Sequence, residues 1–299
     1  METRSVRFLF ILSTERSGST LLSLMLGGHR RLVAPPELHL MAYPTVDQWL
    51  ERYPEAIKSL EYLLDACGLG MDRKEIEERF AGWSPEALYK WVMAQPFTEP
   101  VIIVDKTPKY AREWTALNRT AILEPLYIWL LRHPLGVAAS QIALRRKQRE
   151  DRNQNLLSSL KYPFFRVRAA FRKSDDIYHE VAYWTWVNSL IEQFLVAIPA
   201  ERKRKVHFEH LVKDPRSVME QLCQWLGISF EPAMLQPQDH IPRALDWRLG
   251  DPKACKHGGI DPTVADSWQQ YYSERTLDDL TGRLLGVPTR EAMARWGIS

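Results

Sequence analysis

The chain has 299 residues, of which 45% are apolar and 26% charged, so it can bury a core and has the composition of a globular protein. A net charge of +3 gives modest attraction for anions, and without a polybasic arm we expect no nucleic-acid partner. The 3 cysteines match no metal or redox pattern and are typical of a reducing compartment. Because the sequence has no cleavable signal and no apolar run long enough for a membrane span, we expect a cytoplasmic protein.

Short apolar runs alternate with helical patterns along the chain, which predicts a single α/β domain over residues 1–299 with a central parallel sheet flanked by helices. The predicted strands are Val6–Leu12, Val101–Val104, Leu126–Leu131 and Val206–Phe208. The predicted helices are Thr20–Gly27, Ser84–Met93, Leu135–Ala143, Tyr178–Ala197 and Arg216–Leu226. A helical insertion over residues 45–95 separates the first two predicted strands, and we expect it to cap the active-site cleft.

The first predicted strand is followed by a turn rich in hydroxyl groups and then by a helix. Such a P-loop-like unit directs backbone N–H groups and the positive end of a helix dipole at one point, where an anion binds. The turn lacks the Gly-x4-Gly-Lys-[Ser/Thr] pattern of nucleotide triphosphatases, but its cation, Arg16, suits phosphate or sulfate. The predicted anion-binding residues are Thr14, Arg16, Ser17, Gly18, Ser19 and Thr20. The alternative is an ordinary turn in which Ser17 or Ser19 caps the helix.

A second anion site is predicted after the strand Leu126–Leu131. Arg132 follows the carboxyl end of that strand, where ligands of open α/β sheets bind. Pro134 favours the first turn of the next helix, and Ser140 lies about two turns into it. Arg132 and Ser140 would together bind one more phosphate. The alternative is a strand-end arginine and a helix serine that never meet.

These elements together resemble the sulfotransferases that use 3′-phosphoadenosine 5′-phosphosulfate (PAPS). The segment Thr14–Leu22 resembles their 5′-phosphosulfate loop, and Arg132 with Ser140 resembles their 3′-phosphate motif. A third element, Phe208–Pro215, is similar to the segment with which a later strand of the family ends. The resemblance implies PAPS as the sulfonate donor and PAP as the product. Two separate anion sites without a carboxylate cluster suited to magnesium predict that no metal is required.

Within this family the chain most resembles the sulfotransferase domains of curacin-type and olefin-synthase polyketide assembly lines. The similar segments are residues 34–40, 105–111, 250–252 and 265–268. Those domains sulfonate the β-hydroxyl of a carrier-bound acyl chain, which implies such an acceptor here and an acyl carrier protein as a partner. A free small molecule or a carbohydrate is the alternative acceptor. Whether the chain is free-standing or excised from a multidomain protein stays open.

Transfer of a sulfonate group to a hydroxyl requires a base, alignment and neutralisation of charge. Glu37 is the predicted base, because two prolines before it favour an extended loop near the phosphosulfate. Glu37 and His39 are similar to the Glu-x-His pair of heparan sulfate sulfotransferases, and the alternative for His39 is a packed or hydrogen-bonded structural residue. The competing assignment makes His39 or His257 the base. The alternative for Glu37 is a solvated loop carboxylate.

Lys106 follows the predicted strand Val101–Val104 and resembles the lysine of the family's Lys-[Ser/Thr]-Pro segment. We expect it to orient Glu37 and to bind the acceptor or the sulfonate; the alternative is a surface lysine. Arg16 would contact the leaving phosphate, and because an arginine side chain stays charged in proteins we do not expect it to donate a proton. Asp105 is a candidate partner of Lys106 or Arg16.

A basic segment near the carboxyl terminus, residues 253–260, resembles a degenerate form of the family's glycine loop. That loop closes over the 3′-phosphate and adenine, so the resemblance implies cofactor contacts from Lys256, His257 and Gly258. The alternative for His257 is that it faces the acceptor.

Two functions of other classes also fit a strand–loop–helix unit in a parallel sheet. A small-molecule kinase would need the missing loop lysine and a carboxylate for magnesium. A non-catalytic nucleotide-binding module would bind PAP without turnover on any acceptor.

Overall fold

The computed structural model describes residues 6–157, 177–240, 259–273 and 289–298, together with residues 275, 276 and 278. Its strands form one parallel sheet in the order β2-β3-β1-β4-β5, which confirms the predicted α/β class. The strands are β1 (Val6–Leu12), β2 (Leu32–Val33), β3 (Val101–Asp105), β4 (Leu126–Leu131) and β5 (Lys203–His207).

Helices separate and follow these strands. They are α1 (Ser19–Gly27), α2 (Val46–Arg52), α3 (Ile57–Ala66), α4 (Arg73–Arg79), α5 (Pro85–Met93), α6 (Trp114–Ala121), α7 (Pro134–Leu157), α8 (Ile177–Val196), α9 (Phe208–Lys213), α10 (Pro215–Leu226) and α11 (Thr289–Trp296).

By its internal contacts the chain forms two compact units. The first is Met1–Leu131 with Val187–Pro262, and the second is Arg132–Trp186 with Thr263–Ser299. The whole sheet belongs to the first unit, and the division of the chain into domains stays a prediction.

The central strands are almost continuously apolar because both faces of a parallel sheet are covered. All six residues of β4 are buried, and Leu9 in β1 pairs with Val104 on one side and Leu126 on the other. The chain leaves β1 towards β2 and β3 and then crosses to β4 on the opposite side of β1. The carboxyl ends of β1 and β4 therefore form a topological switch point, the usual ligand site of such sheets.

Two predicted elements differ from the structure by more than one residue at an end. The strand predicted at Val206–Phe208 begins at Lys203 and ends at His207, so three basic residues lie in an edge strand. Charged side chains protect such an edge from pairing with other chains. The helix predicted to end at Ala143 continues to Leu157, because this stretch is rich in Arg, Gln and Leu and contains neither glycine nor proline.

The predicted insertion over residues 45–95 is helical and contains α2 to α5. Its helices have strong start signals, among them the Thr45 cap and a capping box formed by Asp72 and Glu75. The indole of Trp49 in α2 donates a 2.6 Å hydrogen bond to the Leu38 carbonyl, and Tyr89 in α5 contacts the end of β3. The insertion therefore supports the loop that carries Glu37, while its role as a cap stays a prediction.

Candidate active site

The loop between β1 and α1 presents an uncapped helix start. Gly18 occupies the N-cap position with φ 90° and ψ 16°, and within the described residues no side chain caps α1 and no acidic residue stands in its first turn. Ser17 instead hydrogen-bonds through its hydroxyl to Thr14 Oγ1 at 2.7 Å. The alternative of a turn capped by Ser17 or Ser19 is therefore wrong, and the start of α1 presents its N–H groups and positive dipole to an anion.

Only glycine fits at position 18. Its φ of 90° is unfavourable for other residues, and a Cβ atom there would lie 2.3 Å from two ring carbons of Phe208. Phe208 begins α9, so the third motif of the sequence packs directly against the first. Arg16 also has a left-handed backbone, with φ 69°, a strain that is common where a loop is shaped for a ligand.

The carboxylate of Glu37 is bound on both sides. Lys106 Nζ lies 2.8 Å from Glu37 Oε1, and His39 Nε2 lies 3.3 Å from Glu37 Oε2. Lys106 also donates a 3.3 Å hydrogen bond to the hydroxyl of Thr20 in the first turn of α1. With only 2% of its side chain exposed, Lys106 is not a surface lysine, and Glu37 is not a solvated loop carboxylate.

These contacts control the ionisation of Glu37. Burial alone would raise its pKa, but the charge of Lys106 and the hydrogen bonds from His39 and Lys106 outweigh burial and lower the pKa to about 2. Glu37 is therefore a carboxylate at neutral pH. It can accept a proton without first losing one.

His39 has an unusual backbone conformation and a buried ring. Its φ is 56°, its N–H donates to Thr107 Oγ1 at 3.3 Å, and its ring stacks on Tyr53 at 4.4 Å between centroids. His39 Nδ1 is buried and has no hydrogen-bond partner among the residues that the structure describes. These contacts fix the ring beside Glu37, and the choice between a structural and a catalytic role stays open.

The sequence analysis gave Asp105 as a candidate partner of Lys106 or Arg16, and the structure corrects this: Asp105 pairs with neither. Its buried carboxylate accepts hydrogen bonds from Tyr89 at 2.7 Å, Thr107 at 2.9 Å and Tyr110 at 3.1 Å. Burial raises the pKa of Asp105, and the three hydroxyl donors counteract that effect. The reason for the difference is geometric: neighbouring residues at the end of a strand point to opposite faces, so Asp105 points away from Lys106.

The hydroxyl groups around Asp105 also hold the loop that carries Glu37. Thr107 accepts the His39 N–H, and Tyr110 accepts the Met41 N–H at 3.2 Å. Burial raises the pKa of Tyr110 well above its usual range, so its hydroxyl remains protonated. The sequence analysis did not predict this hydroxyl cluster around Asp105. Thr107 could have been found, because it stands in the Lys-[Ser/Thr]-Pro segment. Tyr89 and Tyr110 belong to no motif that would indicate a contact with Asp105.

In the second unit, Arg132 directly follows β4 in the chain, as predicted. Its Nη2 donates to the Val264 carbonyl at 3.2 Å, and a Cβ atom at Gly136 would lie 3.1 Å from its Nε. The glycine therefore leaves space for the guanidinium. Ser140 lies in the second turn of α7 and is half-buried. A phosphate site shared by Arg132 and Ser140 stays a prediction.

The sequence reasoning missed a ring pair next to Arg132. The imidazole of His133 stacks in parallel on Trp268, with 4.2 Å between centroids and 5° between planes. Burial, together with the charges of Arg290 and Arg132, lowers the pKa of His133 to about 4, so the ring is neutral at physiological pH. A neutral ring does not compete with Arg132 for an anion.

The predicted cofactor contacts of Lys256, His257 and Gly258 lie outside the residues that the structure describes. Within the described ranges, no group of three or more His, Cys, Asp or Glu side chains is arranged to hold a metal ion. Of the helices in the same ranges, none combines the length and the apolar character that crossing a membrane requires. The cellular compartment stays a prediction.

Sequence comparison relates most of the chain to sulfotransferases. Residues 9–232 match the family model described as Sulfotransferase family. Nodulation protein NoeE of Sinorhizobium fredii (strain NBRC 101917 / NGR234) is 36% identical over 289 residues, which cover 91% of this chain and 61% of NoeE. The chain thus spans about three fifths of the length of that relative.

Two solved structures are similar over nearly the whole chain. The sulfotransferase domain of the Synechococcus PCC 7002 olefin synthase has a TM-score of 0.74 at 26% identity, covering 98% of this chain and 94% of that domain. The sulfotransferase domain from the curacin biosynthetic pathway has a TM-score of 0.65 at 28% identity, covering 97% of each. The resemblance to these two domains that the sequence motifs indicated is confirmed.

Proposed function

This chain belongs to the sulfotransferase family, and on that basis we propose that it transfers the sulfonate group of PAPS to an acceptor hydroxyl. The observation that carries the proposal is the position of Lys106. Its ammonium group connects the carboxylate of Glu37 with the hydroxyl of Thr20 in the first turn of α1. A proton acceptor and an anion-binding loop therefore form one connected site.

The residues of the loop after β1 fit a phosphosulfate. The uncapped start of α1, with glycine at position 18, offers backbone N–H groups to the oxygens of the phosphosulfate. The loop adds hydroxyl donors from Thr14, Ser17, Ser19 and Thr20. Arg16 adds a guanidinium to the same loop. For the 3′-phosphate we propose Arg132 and Ser140, and for further contacts with the cofactor Lys256, His257 and Gly258.

PAPS supplies an already activated sulfonate, so the protein's tasks are to orient the acceptor, accept its proton and stabilise the leaving phosphate. Glu37 accepts the proton, and Lys106 and His39 hold the carboxylate in place. An anion bound beside Lys106 opposes the effect of the ammonium on Glu37, so ligand binding raises the pKa of Glu37 from its resting value of about 2. Arg16 and Lys106 offset the charge on the leaving phosphate.

Two acceptor classes are supported by different observations. The similar solved structures are domains of an olefin synthase and of the curacin pathway, which supports a carrier-bound β-hydroxyl and an acyl carrier protein as partner. A free small molecule or a carbohydrate is the second candidate. A polar cavity near the Glu37 loop, with Ser23 and Asp239 in its lining, favours that candidate.

Transfer from 35S-labelled PAPS tests the proposal. The full chain is incubated with 3-hydroxyacyl thioesters on pantetheine or on an acyl carrier protein, with phenols and with sugars, each with and without EDTA. We expect labelled product on one class, and equal rates with EDTA. PAP binding without transfer to any class would instead indicate a nucleotide-binding module, and transfer of 32P from γ-labelled ATP would indicate a kinase.

A further inference from the structure

Two aromatic side chains of the helical insertion hold the loop that carries Glu37. Trp49 and Tyr53 are four residues apart, a spacing that places side chains on one face of a helix. Tyr53 directly follows α2, and its N–H donates to the Trp49 carbonyl at 2.8 Å. The Trp49 indole donates to the Leu38 carbonyl, and the Tyr53 ring stacks on the ring of His39. The insertion therefore contacts both residues that directly follow Glu37.

The stack between Tyr53 and His39 is nearly parallel. The ring centroids are 4.4 Å apart, and the ring planes differ by 13°. Such a stack fixes the plane of the imidazole, because a rotation of the ring would lose the contact. With its plane fixed, the imidazole places Nε2 at 3.3 Å from Glu37 Oε2. Tyr53 thus acts on the carboxylate through His39.

Lys109 holds Tyr53 in turn. Its ammonium lies 5.2 Å from the centroid of the Tyr53 ring and 4.4 Å from that of the Tyr43 ring, within the range of cation–π attraction. It also donates a 2.8 Å hydrogen bond to the Tyr43 hydroxyl, and its side chain is only 15% exposed. Lys109 follows Lys106 by three residues. The segment after β3 therefore supports Glu37 directly through one lysine and indirectly through the other.

The surroundings of the His39 ring determine which nitrogen carries its proton. A neutral imidazole has one N–H. Nδ1 is buried and has no hydrogen-bond partner in the part of the chain that the structure describes, so an N–H there would be a buried donor without an acceptor. On Nε2 the N–H instead donates to the carboxylate of Glu37. In that tautomer Nε2 has no lone pair with which to accept a proton, and Nδ1 is shielded from an acceptor.

We propose that Tyr53 is a positioning residue of the sulfonate transfer. It fixes the plane of His39, so that His39 donates from Nε2 and orients the carboxylate of Glu37. The proposal rests on the proposed function and specifies how the insertion over residues 45–95 takes part in it. His39 is then a second positioning residue and is not the base. The stack uses only the ring of Tyr53, so its hydroxyl has no part in this role.

Steady-state kinetics with PAPS and an acceptor of the wild type test the role of the ring. Tyr53→Leu should lower kcat about tenfold, because the carboxylate loses its fixed orientation, while PAP affinity stays near that of the wild type. Tyr53→Phe keeps the ring and should keep kcat. Trp91→Leu is the matched control, because it removes a half-buried ring that packs on Phe80 within the same insertion. Its kcat should stay near that of the wild type.

NMR of the protein with 15N-labelled histidine shows the tautomer without any acceptor. The signals of His39 are those that disappear in His39→Gln. We expect the proton on Nε2 in the wild type and in Tyr53→Phe, and a mixture of tautomers in Tyr53→Leu. His39→Gln should also retain more activity than His39→Ala, because the amide donates a hydrogen bond to Glu37 although it cannot act as a base.

The outcomes separate this inference from the proposed function. An unchanged kcat in Tyr53→Leu, or an equal loss in Trp91→Leu, overturns the inference and leaves sulfonate transfer intact. A proton on Nδ1 of His39 in the wild type overturns it as well, and this measurement decides the question if Tyr53→Leu does not fold. Absence of transfer by the wild type to any acceptor, with normal PAP binding, overturns the inference together with the proposed function.

Discussion

Lys106 places one ammonium group 2.8 Å from the carboxylate of Glu37 and 3.3 Å from the hydroxyl of Thr20. The lysine is 2% exposed, so its charge requires a partner, and removal of one member of a buried ion pair leaves an uncompensated charge. Glu37 and Lys106 therefore act as a pair, and a substitution of Lys106 should change the pKa of Glu37.

Glu37→Gln should lower the rate of single-turnover sulfonation by about 10²–10⁴-fold, because the amide cannot accept a proton. PAP binding, measured by calorimetry, should persist. His39→Ala should cost less, because in our proposal His39 positions the carboxylate. A near wild-type rate in Glu37→Gln with collapse in His39→Ala or His257→Ala would assign the base to that histidine.

Lys106→Met should raise the pKa of Glu37, because burial remains while the main opposing charge is lost. The acid limb of the kcat/KM profile should move to higher pH.

The same pair makes folding stability depend on pH. In the wild type, the contribution of the Glu37 carboxylate to folding stability is complete above about pH 4.5 and is lost as the pH falls towards about 2. Urea unfolding between pH 2 and 6 should show this dependence in the wild type and a weaker one in the variant. Identical profiles would contradict the assigned interaction.

Gly18→Ala should destabilise the protein and abolish PAPS binding. The backbone strain alone is worth about 1–2 kcal/mol, and the added methyl group would overlap Phe208. The double variant Gly18→Ala/Phe208→Leu should be less destabilised than the sum of the two single changes, because the overlap is relieved while the strain remains. Strict additivity in chemical denaturation would show that the contact does not matter.

Tyr110→Phe should lower stability by about 1–3 kcal/mol, because the N–H of Met41 loses its acceptor in a buried place. Since this contact holds the loop of Glu37, kcat should fall as well. Tyr127→Phe is the matched control: it removes a buried 2.8 Å hydrogen bond to Thr120, outside that loop. An equal effect of both variants on kcat would contradict the positioning role.

Arg132→Ala should weaken PAP binding by about 10–150-fold, the equivalent of about 1.5–3 kcal/mol for a charge-assisted hydrogen bond. Binding of adenosine 5′-phosphosulfate, which lacks the 3′-phosphate, should change little. Because Arg132 also bonds to the Val264 carbonyl, Ser140→Ala serves as a second variant with the same expected selectivity. Equal losses for both ligands would indicate a structural role instead.

The sequence by itself determined the fold class and the chemical character of the anion loop. β1 and β4 have the predicted bounds, because a buried parallel strand is a nearly continuous apolar run, broken in β1 by Arg7 alone, that ends where polar residues begin. The turn after β1, which combines a glycine with several hydroxyl residues, likewise predicted a helix start that is open to an anion. Such signals are local, and local signals can be read from a sequence.

Tertiary structure decided which side chains meet. Lys106 pairs with Glu37 across 69 positions of the chain, while Asp105, its neighbour, turns to Tyr89 and Tyr110. Phe208 packs on Gly18 because β5 and β1 lie in the same sheet. These contacts depend on the alternation of side chains along a strand and on the order of strands. The alternation is a local property of any strand. The order of the strands is not encoded near any one position, because it is set by how the whole chain buries its apolar surface.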